Sequence, residues 1–299
     1  MSSFRSGFVG ILGQTNVGKS TFLNAVMGQK LVITSPKPQT TRNRVRCIYT
    51  TEEAQIVFVD TPGLHRPRNR LGRHLVREAF RALRGLDVLV YVVEPWRSVR
   101  SQDRLLLDQV TSADRPTLLL VNKIDLARGN DLEETLLAYE STGIFAELIP
   151  ISAAKGTNLD EALRTILVHL PEGQPHFPAD TRVDQSDEFL VAELIREKVI
   201  RHTSQEIPYS TAVRVKWLTG REDGLLDIQA EIIVEKDSQK GIIIGARASM
   251  IKEIGTEARS DIESLLGTRV FLDLRVSIQK GWTHDERAIE RLAGGGSKP

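Results

Sequence analysis

The sequence predicts two folds in tandem: an α/β domain on a mainly parallel sheet, followed by a smaller α+β domain. Three observations predict this. Through about residue 170, continuous apolar runs alternate with amphipathic helical patterns. The first run ends in Gly13-Gln14-Thr15-Asn16-Val17-Gly18-Lys19-Ser20, which fits G-x-x-x-x-G-K-[ST] at every fixed position. After Pro171-Glu172-Gly173-Gln174-Pro175-His176-Phe177-Pro178 the order of elements changes.

Each element of the first half follows from its pattern. Phe8–Leu12 reads as a buried strand, and a helix starts at Lys19. Further strands are expected at Val45–Tyr49, Ile56–Val59, Val88–Val93, Leu118–Val121 and Leu148–Ile151. Helical patterns fall near 71–84, 101–110, 131–140 and 158–169. Val/Ile/Leu-rich strands separated by helices indicate an open sheet covered on both faces. Such sheets bind ligands at the carboxyl ends of their strands. The expected boundaries are 1–172 for this domain, 173–187 for a linker, 188–281 for the second domain, and 282–299 for a terminal helix and tail.

Bulk properties exclude several classes. With 40 Lys and Arg against 39 Asp and Glu, the net charge of +1 gives no global nucleic-acid signature. No apolar run approaches the roughly 18 residues of a membrane span. The amino terminus leads almost directly into the first strand, leaving no room for a signal peptide, and the single Cys47 excludes an internal disulfide. The expectation is a cytoplasmic, monomeric protein.

The polar motifs sit where strands end. In the phosphate loop the backbone N–H groups can curl around one anion, helped by the positive end of the following helix. Lys19 is expected to reach the β- and γ-phosphates, and the Ser20 hydroxyl to ligate magnesium, with contacts running on to Thr21. Asp60-Thr61-Pro62-Gly63 follows the Ile56–Val59 strand. There Asp60 can hold magnesium and the Gly63 N–H can sense the γ-phosphate. Between these motifs lies Pro38-Gln39-Thr40-Thr41-Arg42, and Thr41 rather than Thr40 is expected to complete the metal shell. Asn122-Lys123-Ile124-Asp125 follows Leu118–Val121. The Asp125 carboxylate can accept from guanine N1–H and its exocyclic amine, a donor pair adenine lacks. Asn122 can tether neighbouring loops, the Lys123 stem can cover the base, and Ser152-Ala153-Ala154 lets a backbone N–H approach guanine O6.

These five motifs together resemble the small GTPases of the translation-factor class, with the P-loop fold of Ras-like proteins. Leu64 stands where Ras-like switches carry a glutamine, so slow, magnesium-dependent turnover is expected. Asn16 is similar to the asparagine of potassium-using GTPases, which implies potassium stimulation. Residues 66 to 84 carry Arg66, Arg68, Arg70, Arg73, Arg77, Arg81 and Arg84 against one acid, Glu78. A solvated helix face is the ordinary explanation of such a stripe; ribosomal RNA or a membrane surface is the alternative.

The second half reads as helix (188–202), strand (211–218), strand (227–235), two helices around a glycine loop, and strand (269–276). This order resembles a type II KH domain, in which a G-x-x-G loop clamps about four nucleotides. Here the loop is Gly245-Ala246-Arg247-Ala248, flanked by Lys236, Lys240 and Lys252. Its last glycine is an alanine, which costs about 1 kcal/mol if the position needs positive φ. Residues 188–299 hold 17 Lys and Arg against 18 Asp and Glu, net −1, so no broad basic face supports RNA binding by charge.

Taken with Asp60-Thr61-Pro62-Gly63-Leu64-His65, His176-Phe177-Pro178 and Gly281-Trp282, nearly the whole chain resembles the Era family of bacterial GTPases. The resemblance implies GTP/GDP and Mg2+ as ligands. It also implies small-subunit ribosomal RNA and the 30S subunit as partners, a role in 30S biogenesis, and peripheral contact with the inner membrane. Two other readings stand beside it: a GTP-dependent protein adaptor without RNA, and an ATP-using enzyme, which Asn122–Asp125 disfavours.

Overall fold

The computed structural model describes residues 4–37, 40–60, 70–74, 85–96, 99, 107–108 and 110–293. They divide into two compact units. The first gathers 4–29, 44–60, 85–96, 99, 107–108 and 110–184; the second gathers 30–37, 40–43, 70–74 and 185–293.

In the first unit β1 (Arg5–Gly13), α1 (Lys19–Met27), β2 (Val45–Thr50), β3 (Ala54–Asp60), β4 (Val88–Val93), β5 (Thr117–Val121), α2 (Asp131–Glu140), β6 (Glu147–Pro150) and α3 (Leu159–His169) follow in order. The six strands line up as β2-β3-β1-β4-β5-β6. Every pairing is parallel except β2 with β3, which is antiparallel. β3, β4 and β5 are buried at every residue, as a sheet covered on both faces requires. The parallel register aligns the strand ends that carry chemistry: Ile11 lies beside Asp60, and Gly13 beside Val92.

The Pro-rich segment expected as a linker is ordered along the antiparallel edge of this sheet. Gln55 Oε1 accepts from the N–H groups of His176 and Phe177 at 2.8 and 2.9 Å, and its amide donates to the Phe177 carbonyl at 2.9 Å. Ile48 N–H donates to the Arg182 carbonyl at 2.9 Å, and Asp184 faces Arg46 at 3.4 Å. A fully buried glutamine is thereby satisfied by main chain and by Thr50 Oγ1, to which its amide also donates at 3.1 Å, which explains its place in an otherwise apolar strand.

The second unit contains α4 (Asp187–His202), α5 (Ile207–Ser210), β7 (Ala212–Gly220), β8 (Leu226–Val234), α6 (Asp237–Ile244), α7 (Ser249–Leu266), β9 (Val270–Ile278) and α8 (Glu286–Ala293). Its sheet runs β7-β8-β9, antiparallel then parallel. Ser186 caps α4 by accepting from Phe189 N–H, and Gly267 ends α7 in the left-handed conformation. Ile254, Ala258 and Ile262 recur every fourth residue on α7 and meet Val191, Ile195 and Val199 of α4 over Ile228, Ala230 and Ile232 of β8. Ile33, from the chain that follows α1, is a member of this core. Trp282 is fully buried and donates its ring N–H to the Ser210 carbonyl at 2.9 Å.

Candidate functional site

The loop from Gly13 to Ser20 joins β1 to α1 in the way its glycines dictate. Gly13 has φ 141°, and a Cβ there would lie 2.4 Å from the Val92 carbonyl oxygen. Gly18 has φ 100°, and a Cβ would lie 2.1 Å from Asn122 Nδ2. Both positions exclude side chains by backbone angle and by space. Asn16 between them takes φ 67°, a left-handed conformation that asparagine tolerates better than most residues.

Asn122 explains the second exclusion. Its Nδ2 donates to the Val17 carbonyl at 2.9 Å, and its Oδ1 accepts from Ala153 N–H at 2.9 Å. One side chain, 2% exposed, thus ties the phosphate loop to the Ser152–Ala154 loop. Lys123, at φ 69°, donates from Nζ to the Asn16 carbonyl at 2.7 Å and to Glu94 Oε1 at 2.6 Å. Ser152 Oγ donates to Asp125 Oδ1 at 2.6 Å, orienting that carboxylate. Left-handed backbone at two non-glycine residues, each held by hydrogen bonds from other loops, is the pattern of a pre-organised site.

At the other end of the loop, Lys19 Nζ donates to the carbonyls of Gly13 at 3.1 Å and Gln14 at 2.7 Å. Burial pulls its pKa down to about 8, partly opposed by the nearby Asp60 carboxylate. An anion at this amine would restore the ordinary value. Ser20 Oγ lies 3.4 Å from Asp60 Oδ2, and Asp60 is fully buried. A hydroxyl and a carboxylate converging there are hard oxygen donors that fit magnesium.

The structure therefore brings Gly13–Thr21, Asp60, Asn122–Asp125 and Ser152–Ala154 together in the first unit. Thr41 is not among them: it belongs to the second unit, within Lys30–Asn43. Thr61, Pro62, Gly63 and Leu64 lie outside the described residues, as do Gln39 and, of the arginine stripe, Arg66, Arg68, Arg77, Arg81 and Arg84. Glu94 went unrecognised in the sequence. Its signal was its place directly after the buried strand Val88–Val93, where a parallel sheet presents ligand-facing residues.

In the second unit, the Gly245–Ala248 loop joins α6 to α7. Gly245 sits at φ 72°, ψ 172°, a region essentially reserved for glycine, and a Cβ there would meet Met250 at 2.8 Å. Arg247 and Ala248 follow at φ 50° and 60°. Ala248 thus occupies the left-handed conformation for which a glycine is suited, and its strain is real. Ala246, Arg247 and Lys252 are exposed; Lys240 is half-buried on α6, and Lys236 is exposed at its start.

Comparison with known proteins places both halves. The family model of the 50S ribosome-binding GTPases matches residues 8–123, and that of the KH domain matches residues 206–283. The GTPase Era of Geobacter metallireducens is 47% identical over 290 residues, covering 97% of each chain. That of Alkaliphilus oremlandii is 44% identical over 291 residues, covering 97% of this chain and 99% of its own. A crystal structure of an Aquifex aeolicus Era variant bound to GDP·AlF4− superposes with a TM-score of 0.92 at 36% identity, over 97% of this chain and 99% of the other. Era in complex with MgGDPNP and nucleotides 1506–1542 of 16S ribosomal RNA superposes with a TM-score of 0.91 at 36% identity, over 97% and 98%.

Proposed function

The chain belongs to the Era family of GTPases, and from that premise we propose that it is a GTP-hydrolysing switch whose second domain binds the 3′ region of small-subunit ribosomal RNA during 30S biogenesis. The observation that carries the guanine reading is the Asn122 tether, which fixes the phosphate loop and the base-facing loop to each other. With those loops locked, Asp125 presents a fixed acceptor pair to the guanine edge and leaves a charge unpaired against adenine.

The chain's own residues divide the work. Main-chain N–H groups of Gly13–Ser20 and the start of α1 hold the phosphates, and Lys19 neutralises the β–γ bridge. Ser20 and Asp60 would hold Mg2+, which when bound offsets phosphate charge; Thr41, the third ligand that the sequence suggests, belongs to the second unit. Leu64 offers no group to orient water, so hydrolysis rests on positioning and proceeds slowly. Asn16 would sit beside a K+ ion at the phosphates; equal rates in sodium and potassium buffers would remove that part of the proposal.

RNA would meet the Gly245–Ala248 loop with Lys236, Lys240, Arg247 and Lys252 around it. Support comes from the glycine-only backbone at Gly245 and from the RNA in the related Era complex. No described helix is long and apolar enough to cross a membrane; the peripheral inner-membrane contact that the family resemblance implies is tested by vesicle flotation. The deciding experiment is crosslinking of the GTP-bound protein to co-purified RNA. Crosslinks within Gly245–Lys252 support the reading, and their absence favours a protein adaptor, which the net charge of −1 over residues 188–299 would suit.

A further inference from the structure

Glu94 begins a chain of contacts that ends on the phosphate loop. It follows β4 directly, and its side chain is 8% exposed. The backbone on either side of it is pinned. The Val93 carbonyl accepts from Asn122 N–H at 2.8 Å, and the Pro95 carbonyl accepts from the Thr135 hydroxyl of α2. From this fixed position Glu94 Oε1 accepts from the Lys123 amine at 2.6 Å. The same amine donates to the Asn16 carbonyl at 2.7 Å. Asn122, one residue earlier, donates to the Val17 carbonyl at 2.9 Å. Two successive residues of one loop therefore grip two successive carbonyls of the other.

The two grips have different needs. Asn122 is short, 2% exposed and bonded at both ends of its amide. Lys123 is long and its side chain is 29% exposed, so left to itself it would sample many rotamers. Its backbone is also left-handed at φ 69°, a conformation that a long side chain does not favour and that the surroundings must enforce. A nearly buried carboxylate supplies that enforcement through a charge-assisted hydrogen bond. With the amine held at Glu94 and Asn16, the aliphatic stem is stretched between its own backbone and a fixed point.

We infer that Glu94 is a positioning residue for guanine nucleotide, acting through Lys123. The inference rests on the reading above in which the Lys123 stem covers the base. A stem already held in place loses no rotamer freedom when nucleotide arrives, and this pre-organisation is gained as affinity. The chain from Glu94 through Lys123 to Asn16 contains none of the residues assigned to the γ-phosphate or magnesium. Its loss should therefore weaken GDP and GTP alike, and chiefly by speeding their release.

The test is release of a fluorescent GDP and of a fluorescent non-hydrolysable GTP analogue from the full chain, followed by stopped flow. Glu94→Ala should release both about tenfold faster, by factors that agree within about twofold. Glu94→Gln keeps the shape and an acceptor without the charge, and should fall between wild type and Glu94→Ala. Lys123→Met keeps an apolar stem and removes the amine. In that background Glu94→Ala should change release by less than about twofold, because the two residues act as one unit. A tenfold effect that persists in Lys123→Met overturns the proposal, since Glu94 would then act through the fold at large. Release from Glu94→Ala at the wild-type rate, or faster release confined to the GTP analogue, overturns it as well. Wild type that holds neither nucleotide would instead count against the guanine reading itself.

Discussion

The nucleotide loop and the RNA loop use the same unusual backbone and support it differently. In the first, Asn16 and Lys123 adopt positive φ while side chains from other loops bond around them. In the second, Gly245, Arg247 and Ala248 adopt positive φ within four residues, and no side chain caps the turn. A site that must reject adenine needs groups that cannot relax, whereas a loop that clamps any phosphodiester backbone needs close approach and little else. Stored strain therefore buys selectivity in one place and access in the other.

The largest expected effect breaks the tether. Asn122→Ala removes two buried hydrogen bonds and orphans the Val17 carbonyl and Ala153 N–H, a loss of about 2–3 kcal/mol in stability. GTP affinity should fall by roughly a hundredfold, measured by calorimetric titration beside a thermal melt. The corresponding change in the RNA loop sharpens the contrast by relieving strain. Ala248→Gly should stabilise the protein by up to about 1 kcal/mol and tighten RNA severalfold, with GTP affinity unchanged. Weaker RNA binding by that variant would mean that the Ala248 methyl contributes a contact.

A smaller effect concerns protons. Lys19 is depressed to about 8 by burial, so below that pH the amine is charged in folded and unfolded chains alike, and its burial cost stands in full. Between about 8 and the ordinary lysine value, the unfolded chain binds more protons, and stability gains as pH rises. Phosphates restore the charge, so GTP binding above pH 8 should take up as much as one proton and weaken as pH rises. Titrations in buffers of different ionisation heat would show it; no proton uptake would place the phosphates away from Lys19. The smallest effect lies in the second unit. Against the cost of burial, Lys30 and Lys198 hold the Glu197 and Asp261 carboxyls below their ordinary range. The depressed carboxyls stabilise the unit above that range, and this is lost as pH falls through their lowered values. Melts between pH 3 and 6 should show a steeper decline in wild type than in Lys30→Met.

Much of this was legible in the sequence because it is local. The phosphate loop, the strand ends and the expected order of elements rest on spacing and period, and α2, β4 and both long helices of the second unit fall where their patterns put them. Long-range placement was not legible. Lys30 and Glu197 are 167 residues apart, and a lysine in an irregular segment carries no periodicity to announce its partner. Gln55 and His176, 121 residues apart, are a second case: a polar residue in a buried strand signals that a partner exists and not where it comes from. Glu94 hid for a similar reason, since its role appears only once Lys123 is seen to reach it at 2.6 Å.

Guanine selection through Asp125 is the claim on which the rest depends, and binding of GTP and xanthosine triphosphate to wild type and Asp125→Asn tests it most directly. Xanthine carries a carbonyl where guanine has its amine, so an amide donor at 125 suits it and a carboxylate does not. Wild type should prefer GTP by roughly a hundredfold or more, and Asp125→Asn should reverse the order. Unchanged preference in the variant would place the base somewhere other than against Asp125.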